Sequence, residues 1–273
     1  MKQIKLLFVL FLGIALSTAY SCNKDDDDNG GGSSTPTKCY IKKELNDDGS
    51  YTLVEYNANH QVIKSTDYDD AGSPTAHIEM TYVNDILAVV EEYENGILVG
   101  RIEYSYNALG YPTKADLFMD DGTGFTKIGY YDITFTGDNL TKQSMHADLM
   151  GQTIKVSESV FTYDAGNVTK MKTFAFNAQT LKLELESITE YAYDTKLNPY
   201  HGVGVDYLMA DPQFLSKANI TINTASDNKG VVMDDKSYNT VYEYNDSKYP
   251  IKGTATSFDN SNSEVTIMEY DCL

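Results

Sequence analysis

Eight aromatic residues set a frame along this chain: Tyr56, Tyr82, Tyr106, Phe135, Tyr163, Tyr193, Tyr244 and Tyr270. Two positions before each stands another apolar or aromatic residue, in order Val54, Met80, Tyr104, Ile133, Phe161, Tyr191, Tyr242 and Met268. The residue between the two is polar everywhere except at Ala192. A period of two is the pattern of a strand with one buried face. Just past the aromatic, most units place Asn or Asp and then Gly or Asn, as in "YDAGNVTK" at 163–170. Asn and Asp bond their own backbone, and Gly or Asn accepts positive φ, so the strand stops there and turns. Returning strands follow, such as "PTKADLF" at 112 and "VTKMKTFAF" at 168. Each unit therefore reads as a β-hairpin.

The aromatics recur every 24 to 30 residues, apart from an interval of 51 between Tyr193 and Tyr244. Short, consecutive strands pair as antiparallel neighbours. The expected fold is all-β: an antiparallel meander of repeated hairpins, curled into a barrel or half-barrel, with one short helical plug. Residues 181–193, "LKLELESITEYAY", carry the longest alternating stripe, which puts Leu181, Leu183, Leu185, Tyr191 and Tyr193 on one face. The long interval holds the plug. Within 198–217, "NPYHGVGVDYLMADPQFLSK", alternation is lost, and Asp211 before Pro212 reads as an N-cap with Pro at the first helical position. Tyr207, Leu208, Met209, Phe214 and Leu215 are too apolar to be left together in water, so the segment is expected to close one end of the rolled sheet.

The front of the chain has a different character. Residues 1–21 have a basic start at Lys2 and Lys5, an apolar run from Leu6 to Leu16 and small residues at the end, the plan of a secretory signal peptide. Ala19-Tyr20-Ser21-Cys22 resembles a bacterial lipobox, which implies cleavage before Cys22 and lipidation of its sulfur. Residues 22–37 then form an Asp-, Gly- and Ser-rich stretch that reads as a disordered tether. Its start, Lys24 followed by Asp25 to Asp28, looks like the acidic export tag of surface lipoproteins in some Gram-negative bacteria. The division is thus signal peptide 1–21, lipidated tether 22–37 and repeat-built β domain 38–273. The expected location is the outer membrane, lipid-anchored and facing the cell exterior, with the periplasmic face as the other choice.

The turn "YDAGNVTK" resembles the YD repeat of bacterial Rhs-type proteins, although only 163–168 carries the full signature. The strand pattern over 40–273, with its break at 198, is similar to a family of bacterial lipoprotein domains of unknown function described as porin-like. That resemblance implies a curled antiparallel sheet or barrel and no activity.

Forty acidic against 21 basic residues give a net charge of −19. Nucleic acid is excluded as a partner, since phosphate binding needs clustered Lys and Arg. Attachment to a membrane has to come through the lipid on Cys22. The four histidines, His60, His77, His146 and His201, lack metal-type spacing, and the calcium-like start "DYDDAG" at 67 fails at Ala71 and Ile78. No phosphate-binding loop, dinucleotide fingerprint or nucleophile elbow appears, so no cofactor, metal or catalytic residue is assigned. The leading reading is a non-enzymatic surface lipoprotein that binds an extracellular glycan or protein. A carbohydrate-active hydrolase on the same scaffold is the alternative, and needs two converging carboxylates. An integral outer-membrane barrel is the third, and needs an outward apolar band.

With Cys22 taken by lipid, Cys39 and Cys272 remain, near the two ends of the β domain. If the meander curls fully, its first and last strands meet and the two cysteines become neighbours in an oxidising compartment, placed for a disulfide. If the sheet stays open, they are independent thiols.

Overall fold

The computed structural model describes residues 38–149, 151–201 and 210–272. The expected signal peptide, Cys22 and the expected tether lie outside the described residues, as do Tyr207, Leu208 and Met209. Sixteen strands among the described residues form one closed antiparallel barrel in sequence order. They are β1 (Cys39–Asn46), β2 (Tyr51–Tyr56), β3 (Val62–Tyr68), β4 (Pro74–Val83), β5 (Ile86–Glu94), β6 (Ile97–Tyr106), β7 (Pro112–Asp120) and β8 (Phe125–Thr136). The second half comprises β9 (Asn139–Leu149), β10 (Gln152–Asp164), β11 (Asn167–Asn177), β12 (Lys182–Tyr193), β13 (Ile220–Asp227), β14 (Tyr238–Tyr244), β15 (Pro250–Ser257) and β16 (Ser263–Cys272). A helix α1 (Pro212–Leu215) sits in the long β12–β13 connection. β1 pairs with β16, so the sheet closes and neither end leaves a bare edge.

Local chemistry places the turns where the sequence puts them. Asn57 Oδ1 accepts from the N–H groups of Asn59 (2.9 Å) and Gln61 (3.0 Å), and Asn107 Oδ1 accepts from those of Leu109 (2.9 Å) and Tyr111 (3.1 Å). Asn84 and Asp85 both take positive φ, 52° and 62°, as a two-residue hairpin turn requires. Beside each of the eight frame aromatics the ladder shifts by one residue, so that Tyr56 pairs with Val62, Tyr106 with Pro112 and Tyr163 with Val168. Such bulges bend a strand and tighten its twist, which helps the sheet to roll.

All eight aromatics point inward at one end of the barrel. The hydroxyls do more than tolerate this position. Tyr56 donates to the Ile41 carbonyl (2.7 Å), Tyr106 to Leu87 (2.5 Å), Tyr163 to Leu140 (2.9 Å), Tyr193 to Val168 (2.6 Å) and Tyr270 to Pro250 (2.6 Å). In every case the acceptor is the residue that pairs with the frame aromatic one unit back. Five of the eight frame positions therefore tie their hairpin to the preceding one, Tyr56 doing so across the β1–β16 seam. Above it, Val54, Ile78, Met80, Val90, Ile102, Leu117 and Ile133 are buried on the inner wall of β2–β8.

One expectation needs correction. Leu181, Leu183 and Leu185 do not share a face with Tyr191 and Tyr193. Leu181 sits in a turn at φ 57° and is 72% exposed. Leu185 and Leu183 pair with Phe174 and Phe176, whereas Thr189 pairs with the inward Met171, and a register shift separates the two stretches. The irregularity at Glu186 flips the facing, so the leucines look outward and the tyrosines inward.

The outer wall is charged around its circumference. Ion pairs join Lys64 to Glu79, Arg101 to Glu103, Lys114 and Lys127 to Asp116, Lys170 to Glu190 and Lys252 to Glu243, at 2.7–2.9 Å.

Candidate functional site

The β12–β13 connection enters the barrel through the ring of tyrosines. Asp211 caps α1 by accepting from Gln213 N–H (2.8 Å), with Pro212 at the first helical position. Asn198 Nδ2 donates to the carbonyls of Gln213 (2.6 Å) and Ser216 (2.7 Å), and holds the two ends of the segment together. Ser216 Oγ accepts from Val168 N–H (3.0 Å) and lies 2.9 Å from the Tyr193 hydroxyl, which joins the plug to the ring. Tyr200, Ala210, Phe214 and Leu215 pack into the same apolar cluster as the inner wall. The segment is thus an internal plug.

Beyond the plug, a cavity of about 590 Å³ remains against the inner wall of β8–β16. Alternation explains why it stays open: on this side the inward positions above the ring hold small and polar residues, with Ser157 and Ser159 on β10, Thr240 on β14 and Ala255 on β15. On the opposite side the positions that correspond to Ser159 and Thr240 are Ile78 and Ile102, which fill their space. Tyr238 and Glu264, at the strand ends remote from the ring, mark the outer part of the cavity, and the plug residues Asp211 and Gln213 form its floor. Burial pushes the Asp211 carboxyl above the usual carboxylate range, while the bond from Gln213 N–H opposes that shift.

A second carboxyl inside the barrel is fully enclosed. Glu44 faces inward on β1, between its ladder partners Thr52 and Met268, and accepts from the Tyr200 hydroxyl of the plug. Burial raises its pKa to about 7, against the opposing effect of the Tyr200 bond. The folded state therefore holds one more proton than the unfolded state between pH 4.5, the unperturbed value, and about 7. Stability from this group is greatest below that window and falls as pH rises through it, by on the order of 3 kcal/mol for a shift of this size. Glu44→Gln is expected to remove that slope, which urea unfolding of both proteins at acidic and mildly alkaline pH would measure. The same slope in both would place the titration elsewhere.

Of the residues singled out in the sequence, Cys22 lies outside the described residues. Cys39 and Cys272 are ladder partners across the β1–β16 seam, and their sulfurs are joined. His60 sits in a turn, and His77 and His146 stack on Tyr93 and Tyr130, their ladder neighbours on the outer wall. Among the described residues no group of three or more His, Cys, Asp or Glu is arranged to hold a metal ion. The cavity itself was not anticipated, nor were the tyrosine-to-carbonyl bonds. The use of Tyr at seven of the eight frame positions was a signal for the latter.

No family model and no curated protein matches the chain. Solved structures do. A porin-like protein from Bacteroides vulgatus ATCC 8482 superposes with a TM-score of 0.58 at 14% identity, over 86% of this chain and 100% of that one. The likeness is one of fold. A porin-like protein from Bacteroides uniformis ATCC 8492 gives a TM-score of 0.53 at 10% identity, over 85% of this chain and 96% of that one. Neither match bears on the lipobox or on the YD-like turn.

Proposed function

We propose that the protein is a surface-exposed outer-membrane lipoprotein, held by lipid on Cys22, whose barrel stands in water and works as a non-enzymatic binding module for a glycan or a protein. The observation that carries this reading is the facing of the wall. The aromatic frame points inward, and outward ion pairs recur from β3 to β15. A barrel that spans lipid needs an outward apolar band, and Lys or Arg near the bilayer midplane costs about 2–4 kcal/mol each. A wall of this kind belongs in water, which leaves the N-terminal lipid to supply the attachment. The hydrolase alternative gains nothing from the cavity, because Asp211 is committed to capping α1.

A Cys22→Ala protein is expected to lose membrane association and to run at the size of the uncleaved precursor on fractionation and gel analysis. Partition with membranes equal to that of the wild type would contradict the lipoprotein reading and favour a spanning barrel.

A further inference from the structure

We propose that the cavity above the plug takes the end of a neutral, hydroxyl-rich saccharide chain. This rests on the binding-module reading and names its ligand class. Its volume, about 590 Å³, lies in the roughly 300–1,000 Å³ range of small-ligand sites. That size and the surrounding wall admit a chain end in preference to the folded face of a protein.

The lining chooses among small ligands. Ser157, Ser159 and Thr240 border the cavity, and among the described residues their hydroxyls have no protein partner. A hydrocarbon ligand would strip water from them without replacing its hydrogen bonds. A polyol replaces those bonds directly. Tyr131, Tyr191, Tyr238 and Tyr242 border the same space. Their rings give the C–H face of a sugar an apolar surface, while the phenol ends stay polar. Tyr242 has this position because residue 253 is glycine: a Cβ there would stand 3.1 Å from the Tyr242 ring. The charge is one-sided. Asp211 and Glu264 border the cavity, and among the described residues no Lys, Arg or His does. Phosphorylated, sulfated and uronic acid ligands would meet carboxylates with no cation to receive them.

The test is calorimetric titration of the protein purified from its native envelope. The probes are neutral gluco-, manno-, xylo- and N-acetylglucosamine oligosaccharides, an oligogalacturonate and unstructured peptides. One neutral series is expected to bind one to one, with the oligogalacturonate weaker by about tenfold or more. Ser159→Leu and Thr240→Leu, which place apolar bulk in the cavity, are each expected to weaken binding by about tenfold or more with the unfolding midpoint kept. Should a leucine variant fail to fold, the Ser157→Ala/Ser159→Ala protein, which removes only hydroxyls, takes its place. Glu264→Gln is expected to narrow the gap between neutral and acidic sugars. The proposal is overturned if no neutral series binds, if binding survives the cavity substitutions unchanged, or if the oligogalacturonate or a peptide binds more tightly. Peptide binding would overturn the saccharide and keep the binding module. Release of Cys22→Ala from membranes is measured separately, so failure here and failure of the lipoprotein reading are told apart.

Discussion

Tyr106→Ala and Tyr163→Ala are each expected to cost about 3–5 kcal/mol of stability, the range for losing a large side chain from a packed site. The Tyr163 ring packs against the apolar cluster, and the half-buried Tyr106 ring stands 6.3 Å from that of Tyr104, which packs against the cluster as well. Both hydroxyls also hold a carbonyl of the preceding hairpin, Leu87 and Leu140 respectively. Their strand neighbours Ser105 and Thr162 are exposed on the outer face, and changing either to Ala is expected to cost well under half as much. Tyr106→Phe isolates the hydroxyl. It keeps the ring and leaves the Leu87 carbonyl unpaired, for a loss of about 1–3 kcal/mol. Urea unfolding of the five proteins is the measurement, and equal losses at the two parities would refute the facing assigned to these strands.

The second large effect is at the seam. Non-reducing peptide mapping of protein from the native envelope is expected to recover Cys39 and Cys272 in one linked pair. The cross-link spans 233 positions. A loop of that length, removed from the unfolded ensemble, is worth about 5 kcal/mol at most in the chain-entropy model. The Cys39→Ala/Cys272→Ala protein should therefore unfold at markedly lower urea, with the difference vanishing when both proteins are compared under reducing conditions. Two free thiols in the native material would remove the cross-link. Closure itself would remain, because the β1–β16 ladder also pairs Glu44 with Met268 and Asn46 with Thr266.

The fold was legible because its signal is repeated. An aromatic recurs through eight units, with a polar residue before it in all but one and a turn just beyond it in most, and period two leaves little choice of facing. The plug was legible from Asp211-Pro212 and the loss of alternation around it. Closure was harder to read: a half-barrel and a barrel share the same local pairing, and only β1 against β16 distinguishes them. The facing of Leu183 and Leu185 was misread because a single extra residue at Glu186 resets the parity, and nothing in "LELESIT" marks it. The cavity leaves a partial trace in the sequence. Four positions before the frame aromatic, the early units have Ile78 or Ile102, whereas later ones have Ser159 or Thr240. That change from filling to hydrogen-bonding side chains is the cavity written in one dimension.

Because β1 starts at Cys39, the described chain joins the barrel at the end that carries the tyrosine ring, and Tyr238 and Glu264 lie toward the other end. Residues 22–37 at full stretch reach no more than about 55 Å. In the lipidated form proposed above, the molecule would be held by this end. Tyr238 and Glu264 would then lie on the side of the barrel away from the anchor. On that reading, a ligand reaches the cavity from the side away from the anchor, without the membrane taking part.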